Sequence, residues 1–192
     1  MGATYADNPV TTIDESLLVD HAKRSRDAFA PLYIIYFDRI YAYCYRRLGN
    51  PEEAADATSS IFSRAMESLQ SCRDASFRSW LFAIAHNVLA DLHRGRHFDH
   101  SLDDTLLIHD SGPTPEDEAI ARETTRSVAS LLSQLPADQR HVLEFRLAGL
   151  TSREIGAILG KQSNAIDQAQ FRAVSKLRML TCKPGSVMEE PR

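Results

Sequence analysis

The stretch TSREIGAILGKQSNAI, which begins at Thr151, carries the start and stop signals of two short helices joined by a tight turn. Thr151 or Ser152 can cap the first helix, and Ser163 or Asn164 can cap the second. Gly160 stands between the two helices, where a tight turn requires a positive φ that glycine adopts without strain. This spacing is typical of a helix-turn-helix, whose second helix enters a DNA major groove.

The charge around this stretch bears on whether it binds DNA. Residues 140–178 include seven basic and three acidic residues, and this local positive charge favours a nucleic-acid partner. A plain helical hairpin within a bundle is the alternative, because it needs the same caps and the same turn. The candidate DNA contacts are polar side chains that suit base edges or phosphates. They are Arg153, Lys161, Gln162, Ser163, Asn164, Asp167, Gln168 and Arg172.

Outward from the helix-turn-helix, apolar residues recur at steps of three and four, as on buried helix faces. Phe29, Leu32, Tyr36 and Ile40 follow such steps, and no segment alternates as a strand would. Helical periodicity fails after His97, in a segment rich in Asp, Glu, Gly and Pro. We therefore predict an all-α fold of two small helical bundles joined by a flexible acidic linker, with the helix-turn-helix in the C-terminal bundle.

The 192-residue length suits two small domains. The predicted boundaries are a disordered extension over residues 1–13, a helical domain over 14–98, an acidic linker over 99–122, a helical domain over 123–182 and a disordered tail over 183–192.

Several classes of protein are disfavoured by composition. The chain has a net charge of −4 and no run of about 20 apolar residues, so a membrane span is not predicted. The acidic N-terminus lacks the basic and apolar regions of a secretion signal. The three cysteines are far apart and form no CxxC motif, which argues against a disulfide framework. We expect a cytoplasmic protein.

A metal-dependent helical enzyme is a rival interpretation, because three histidines lie close together in the sequence. His93 and His97 are four residues apart and could share a helix face. His86 lies about 10 Å from His93 by helix rise, too far to complete one site. No HExxH motif is present, so we predict no metal, no cofactor and no catalytic residues.

Three stretches together resemble one family. They are YRRLGNPEEAADATSSIFSRAM from residue 45, SFRSWLFAIAHNVLADLHRGR from residue 76, and LPADQRHVLEFRLAGLTSREIGAILGKQSNAI from residue 135. In this order, joined by an acidic linker, they resemble the extracytoplasmic-function (ECF) sigma factors, the small promoter-specificity subunits of bacterial RNA polymerase in the sigma-70 family. The resemblance covers residues 27–97 and 135–180, most of the chain.

The resemblance implies a division of labour. The domain at residues 14–98 is expected to be sigma region 2, which binds core polymerase and opens promoter DNA at the minus-ten element. The domain at residues 123–182 is expected to be sigma region 4, which binds the minus-thirty-five element through the eight polar residues named above. Such proteins catalyse nothing by themselves, and an anti-sigma factor is an expected further partner.

The resemblance also implies site residues in the N-terminal domain. The expected polymerase contacts are Asp56, Ser59, Ser60, Phe62 and Arg64. The expected minus-ten contacts are Arg73, Ser76, Arg78, Trp80, Asn87, Arg94 and Arg96. Unpaired bases are held by cationic grooves and by platforms or pockets, which suits the arginines and makes the loop at 71–79 a candidate pocket for an extruded base.

Two departures from the family pattern stand out. In the expected polymerase-binding helix, Ser59 and Ser60 replace the usual Gln-Glu pair. In the second helix of the helix-turn-helix, Asp167 and Ala169 stand where basic residues are usual. Two alternatives to a sigma factor stay open, and the departures bear on the second of them. One is an ordinary helix-turn-helix transcriptional regulator, and the other is a sigma-like adaptor that binds polymerase or an anti-sigma factor without reading DNA.

Overall fold

The computed structural model describes residues 15–73, 76–99 and 116–181, without the side chains of residues 95–99 and 116–122. The described residues form helices and turns and no strand, which confirms the predicted all-α fold. The helices are α1 Glu15–Arg24, α2 Ala30–Leu48, α3 Pro51–Ser68, α4 Phe77–Asp99, α5 Glu116–Ser133, α6 Ala137–Leu147, α7 Ser152–Leu159 and α8 Ser163–Thr181. Short 3-10 turns occupy Arg26–Phe29 and Leu69–Ser71.

The chain divides into two compact units. Of the described residues, unit 1 comprises 15–44, 52–73 and 76–99, and unit 2 comprises 45–51 and 116–181. The last turn of α2 thus belongs to unit 2, a division that the continuous helical pattern of the sequence did not suggest.

An aromatic core holds unit 1 together. The rings of Phe62 and Phe77, from α3 and α4, each meet Phe29 edge to face, with centroids 6.4 and 6.3 Å apart. Tyr43 and Phe82 meet in the same way at 5.5 Å. Such edge-to-face pairs add to the free energy of burying the rings. The core thereby fixes α4, which carries five of the seven predicted minus-ten residues, against α2 and α3.

A boundary in the sequence interpretation is corrected at the linker. Helix α5 begins at Glu116, inside the segment 99–122 that was predicted as a linker. The sequence there reads Pro-Glu-Asp-Glu, and acidic residues in a first helical turn are favoured by the helix dipole. Acidic residues are thus compatible with the start of a helix as well as with a linker, and composition alone did not distinguish the two.

Unit 2 is built around the packing of α8 on its neighbours. Leu132, Leu135, Leu143 and Ala173 form a buried apolar cluster. A second group of fully or almost fully buried side chains surrounds the helix-turn-helix: Phe145, Leu150, Ile155 and Ile166. These contacts fix the orientation of α8, the helix that carries most of the candidate DNA contacts.

A buried ion pair also lies inside unit 2. Arg47 Nη1 lies 3.0 Å from Glu144 Oε2, and only 6% and 1% of the two side chains are exposed. Burial raises the pKa of the Glu144 carboxyl, an effect that Arg47 opposes. Water cannot solvate either charge there, so each side chain depends on the other.

Candidate nucleic-acid and protein interfaces

The turn of the helix-turn-helix is held by local hydrogen bonds. Thr151 caps α7 in a capping box: its hydroxyl accepts from Glu154 N, while its own N–H donates to Glu154 Oε2 at 2.8 Å. Gly160 adopts φ 65°, the left-handed conformation predicted for it. Helix α8 begins at Ser163, so the predicted Ser163 or Asn164 cap lies inside its first turn. The turn therefore forms where it was predicted, with the second helix starting slightly earlier.

The two helices of the motif approach each other closely at Gly156. A Cβ atom at this position would lie 2.5 Å from the carbonyl oxygen of Lys161, much closer than van der Waals contact. The Lys161 N–H donates to the Gly156 carbonyl at 2.9 Å, which draws the turn onto α7. Only glycine leaves room for this approach.

One side of α8 is exposed and the other is buried. Ile166, Ala169 and Ala173 face the core. All eight residues predicted to contact the minus-thirty-five element are solvent-accessible, and Ser152, next to Arg153, is half-buried. The side chains of Asp167, Gln168, Phe171 and Arg172 line one shallow depression on α8.

Phe171 is a candidate that the sequence interpretation missed. Its side chain is 75% exposed, although it lies one turn from Asp167 and Gln168 on the same polar surface. An apolar ring on a helix that enters a major groove can contact the methyl group of thymine. The sequence did contain a signal for Phe171: it lies three residues after Gln168 and four after Asp167, so the three side chains share one face of the helix.

Two of the predicted DNA contacts already have partners within unit 2. Lys161 Nζ donates to Asp138 Oδ2 at 2.6 Å, and this hydrogen bond lowers the pKa of the Asp138 carboxyl. Asp167 Oδ1 accepts from Arg146 Nη2 at 3.2 Å and from the Ser152 hydroxyl. Neither contact was visible as a local sequence pattern.

On unit 1, three of the predicted minus-ten residues share one side of α4. Trp80, Asn87 and Arg94 are seven residues apart, about two turns or 10 Å of helix rise. Asn87 and Arg94 are exposed, while Trp80 is partly buried and lies 5.6 Å from Phe77 between ring centroids. Trp80 thus both packs and presents an edge to solvent. The side chain of Arg96 lies outside the described residues.

The start of α4 is tied to α1. Ser76 Oγ accepts from Ser79 N at 3.2 Å, which caps the helix, and Arg78 N donates to Glu15 Oε1 at 3.3 Å. Lys23 Nζ donates to the Cys72 carbonyl at 2.7 Å. Both ends of the loop predicted as a base pocket are therefore anchored. Its central residues 74 and 75 lie outside the described residues, and Arg73 is exposed.

A carboxylate links two residues that were assigned to different partners. Arg64 Nη1, on α3, lies 3.4 Å from Asp91 Oδ2, and Arg94 Nη2 lies 2.5 Å from Asp91 Oδ1. The hydrogen bond from Arg94, followed by that from Arg64, lowers the pKa of the Asp91 carboxyl. The candidate polymerase and minus-ten surfaces therefore meet at Asp91.

Phe62 is the one expected polymerase contact that is buried. Its side chain is only 3% exposed and packs between Phe29 and Tyr33, because α3 turns this position toward the aromatic core. The other four expected contacts, Asp56, Ser59, Ser60 and Arg64, are exposed.

An apolar surface on α2 adjoins Phe62. Tyr33 lies 4.6 Å from Phe62 between ring centroids and is 40% exposed, while Ile34 is 74% exposed. The ring of Phe37 continues this surface at 5.2 Å from Tyr33. Exposed apolar groups in such a row are typical of protein interfaces.

Neither a metal cluster nor a membrane span is found in the described part of the chain. Residues 15–73, 76–99 and 116–181 contain no group of three or more His, Cys, Asp or Glu side chains that could hold a metal ion. His97 lies outside the described side chains. Among these same residues, no helix is both long and apolar enough to cross a membrane.

Comparisons with known proteins match both units. The family model for sigma-70 region 2 matches residues 32–98, and that for sigma-70 region 4 matches residues 125–177. The chain is 34% identical over 168 residues to the ECF RNA polymerase sigma factor SigW of Bacillus subtilis, covering 81% of this chain and 90% of SigW. It is 29% identical over 181 residues to the ECF RNA polymerase sigma factor BldN of Streptomyces coelicolor, covering 90% and 69%.

Solved structures share the fold. CnrH, solved in complex with the cytosolic domain of CnrY, superposes with a TM-score of 0.68 at 24% identity, covering 88% of this chain and 96% of CnrH. The sigma factor RpoE of Bartonella quintana, solved with the anti-sigma factor NepR, superposes with a TM-score of 0.64 at 20% identity, covering 80% and 96%. At this level of identity the likeness establishes the fold.

Proposed function

The chain belongs to the extracytoplasmic-function sigma factors of the sigma-70 family, and we propose that its two units divide the recognition of one promoter. As a sigma factor, it directs core RNA polymerase to promoters. Unit 2 binds the minus-thirty-five element, and unit 1 binds core polymerase and the minus-ten element. The protein carries out no chemistry of its own and acts in the cytoplasm, where polymerase is found.

The exposed side of α8 carries the proposal for unit 2. Its first three turns present side chains that can bind base edges and phosphates, and its opposite side is buried in the core. Asn164 and Gln168 suit adenine edges, Phe171 suits a thymine methyl, and Arg172 suits a phosphate. Arg153 and Ser163, in the first turns of α7 and α8, and Gln162, in the turn between them, add further polar groups.

The row of Trp80, Asn87 and Arg94 supports the proposal for the minus-ten element. An indole edge, an amide and a guanidinium along about 20 Å of helix offer stacking, base-edge and phosphate contacts in sequence. Arg73, Arg78 and Arg96 add positive charge at either end of this row. Ser76 contributes by capping α4, which fixes where Trp80 lies.

The polymerase contact is proposed on α2 and α3. Asp56, Ser59, Ser60 and Arg64 supply its polar part, and Tyr33 and Ile34 supply an apolar part that compensates for the short serine side chains. Apolar surface buried at an interface contributes more to affinity than exposed ion pairs do.

An anti-sigma factor is the proposed regulatory partner. The related RpoE was solved with the anti-sigma factor NepR. The exposed Ile34 and Tyr33 provide a surface that such a partner would cover in the free protein.

Reconstituted transcription tests the proposed function. The purified protein is added to bacterial core polymerase with a pool of genomic promoter fragments, and run-off transcripts are sequenced. We expect initiation from a small set of fragments that share minus-thirty-five and minus-ten sequences, and Asn87→Ala should reduce opening without reducing core binding. Core binding without any promoter opening would instead establish an adaptor, and DNA binding that is indifferent to core would establish an ordinary regulator.

A further inference from the structure

Arg146 joins three parts of the helix-turn-helix through one guanidinium. Its Nη1 donates to the Leu150 carbonyl, in the turn before α7, at 3.1 Å. Its Nη2 donates to Ser152 Oγ, at the first residue of α7, and to Asp167 Oδ1, on α8, at 3.2 Å. Arg146 itself belongs to α6. A single side chain thus ties α6, the start of α7 and the second turn of α8 together.

Asp167, on α8, is the acceptor that Arg146 and Ser152 share. Its Oδ1 accepts from the Ser152 hydroxyl as well as from Arg146. Arg146 is 26% exposed and Asp167 57% exposed, so the network lies at the surface, with its arginine more buried than its acid. Charge-assisted bonds of this kind hold geometry more firmly than neutral ones.

Asp167 could either read a base or anchor Arg146, and these contacts favour the second role. A carboxylate that reads cytosine must accept from the base amino group. Both hydrogen bonds of Asp167 use Oδ1, so Arg146 and Ser152 fix where the carboxylate lies, and the side chain can move toward a base only by breaking them. In its present position the positive charge of Arg146 offsets the repulsion between Asp167 and DNA phosphates.

We propose that Arg146 is a positioning residue that sets the angle of α8, and that Asp167 serves as its anchor and does not read a base. The proposal rests on the proposed binding of the minus-thirty-five element by unit 2. It explains why an acid stands on the helix proposed to enter the groove. A basic residue there would contact a DNA phosphate, whereas Asp167 forms an ion pair with Arg146 inside the protein. Lysine cannot replace Arg146, because an ammonium group lacks the planar fork that reaches three acceptors at once.

The test combines a double-mutant cycle with selection from randomised duplexes. Full-length protein bound to core polymerase is used, and the variants are Asp167→Ala, Arg146→Ala and the pair combined. We expect each single change to weaken binding about 3- to 10-fold, with the same base preference at every position. The double variant should be no weaker than the worse single variant, because the two residues act through one contact.

Gln168→Ala is the matched control for base reading. Gln168 is adjacent to Asp167 on the same exposed surface, and its loss should alter preference at one position. If Asp167→Ala alters preference at one position while Arg146→Ala does not, Asp167 reads a base and the proposal fails. Losses that simply add in the double variant also overturn it.

A second measurement needs no DNA, so it separates failure of the anchor from failure of the proposed function. Amide hydrogen exchange of the free protein should show faster exchange across the first two turns of α8 in Arg146→Ala, Arg146→Lys and Asp167→Ala. Arg178→Ala removes the same charge from the far end of α8 and should leave these amides unchanged. Unchanged exchange in Arg146→Ala would refute the positioning role even if the wild-type protein bound no promoter.

Discussion

Replacing Arg47 with alanine should destabilise unit 2 strongly, and the loss should depend on pH. The Glu144 carboxyl, with 1% of its side chain exposed, would lose its partner at 3.0 Å, and at neutral pH it must then either carry an unpaired buried charge or take up a proton. Removing one partner of such a buried pair costs about 3–5 kcal/mol. For a domain of 60–100 residues, a loss of about 3 kcal/mol lowers Tm by roughly 12–24 °C.

The pH dependence follows from the direction of the Glu144 pKa. Burial raises this pKa above its unfolded value, and Arg47 holds it lower than burial alone would. Arg47→Ala therefore raises it further. Because the folded state then binds the proton more tightly than the unfolded state, stability falls as pH rises from the unfolded pKa through the folded pKa. The deficit of Arg47→Ala relative to wild type should thus be greatest at neutral pH and smaller at pH 5.

Urea denaturation of the full chain at pH 7 and pH 5 measures both quantities. Arg47→Met combined with Glu144→Leu is the matched control, because replacing both charges with apolar groups is expected to be neutral or stabilising by about 1–4 kcal/mol. A loss below about 1 kcal/mol for Arg47→Ala at pH 7, or an equal loss at both pH values, would refute the reasoning.

Three further outcomes are expected. Gly156→Ala should cost about 1–3 kcal/mol in thermal unfolding, because its Cβ meets a backbone oxygen at 2.5 Å, whereas Gly160→Ala, which has open space but a positive φ, should cost about 1–2 kcal/mol; an unchanged Tm in Gly156→Ala would contradict the close approach. Asp138→Asn should free Lys161 for a phosphate and strengthen promoter binding about 2-fold in low salt, and no gain in a filter-binding titration would mean that Lys161 faces away from DNA. Arg94→Ala should reduce the salt slope of open-complex formation by about 1, and an unchanged slope would remove it from the minus-ten surface.

Much of the fold follows from local signals in the sequence. The capping residue Thr151 and the turn residue Gly160 each act on hydrogen bonds within a few residues, so their effects are visible without the tertiary structure. The same holds for the three family stretches, whose order identified the sigma regions. Local charge, by contrast, misplaced the start of α5, because acidic residues favour both linkers and first helical turns.

What the tertiary structure alone decided is which side chains meet across helices. Phe62 lies in the core and Phe171 in solvent, although both are aromatic residues on amphipathic helices. Glu144 is buried beside a residue 97 positions away, and Asp167 binds Arg146 across two helix junctions. Periodicity predicts that a helix has a buried side, but the burial of a particular charge depends on which helix packs there and at what angle. For this reason the sequence by itself determined the helices and the family, and only their packing distinguished an anchoring acid from a base-reading one.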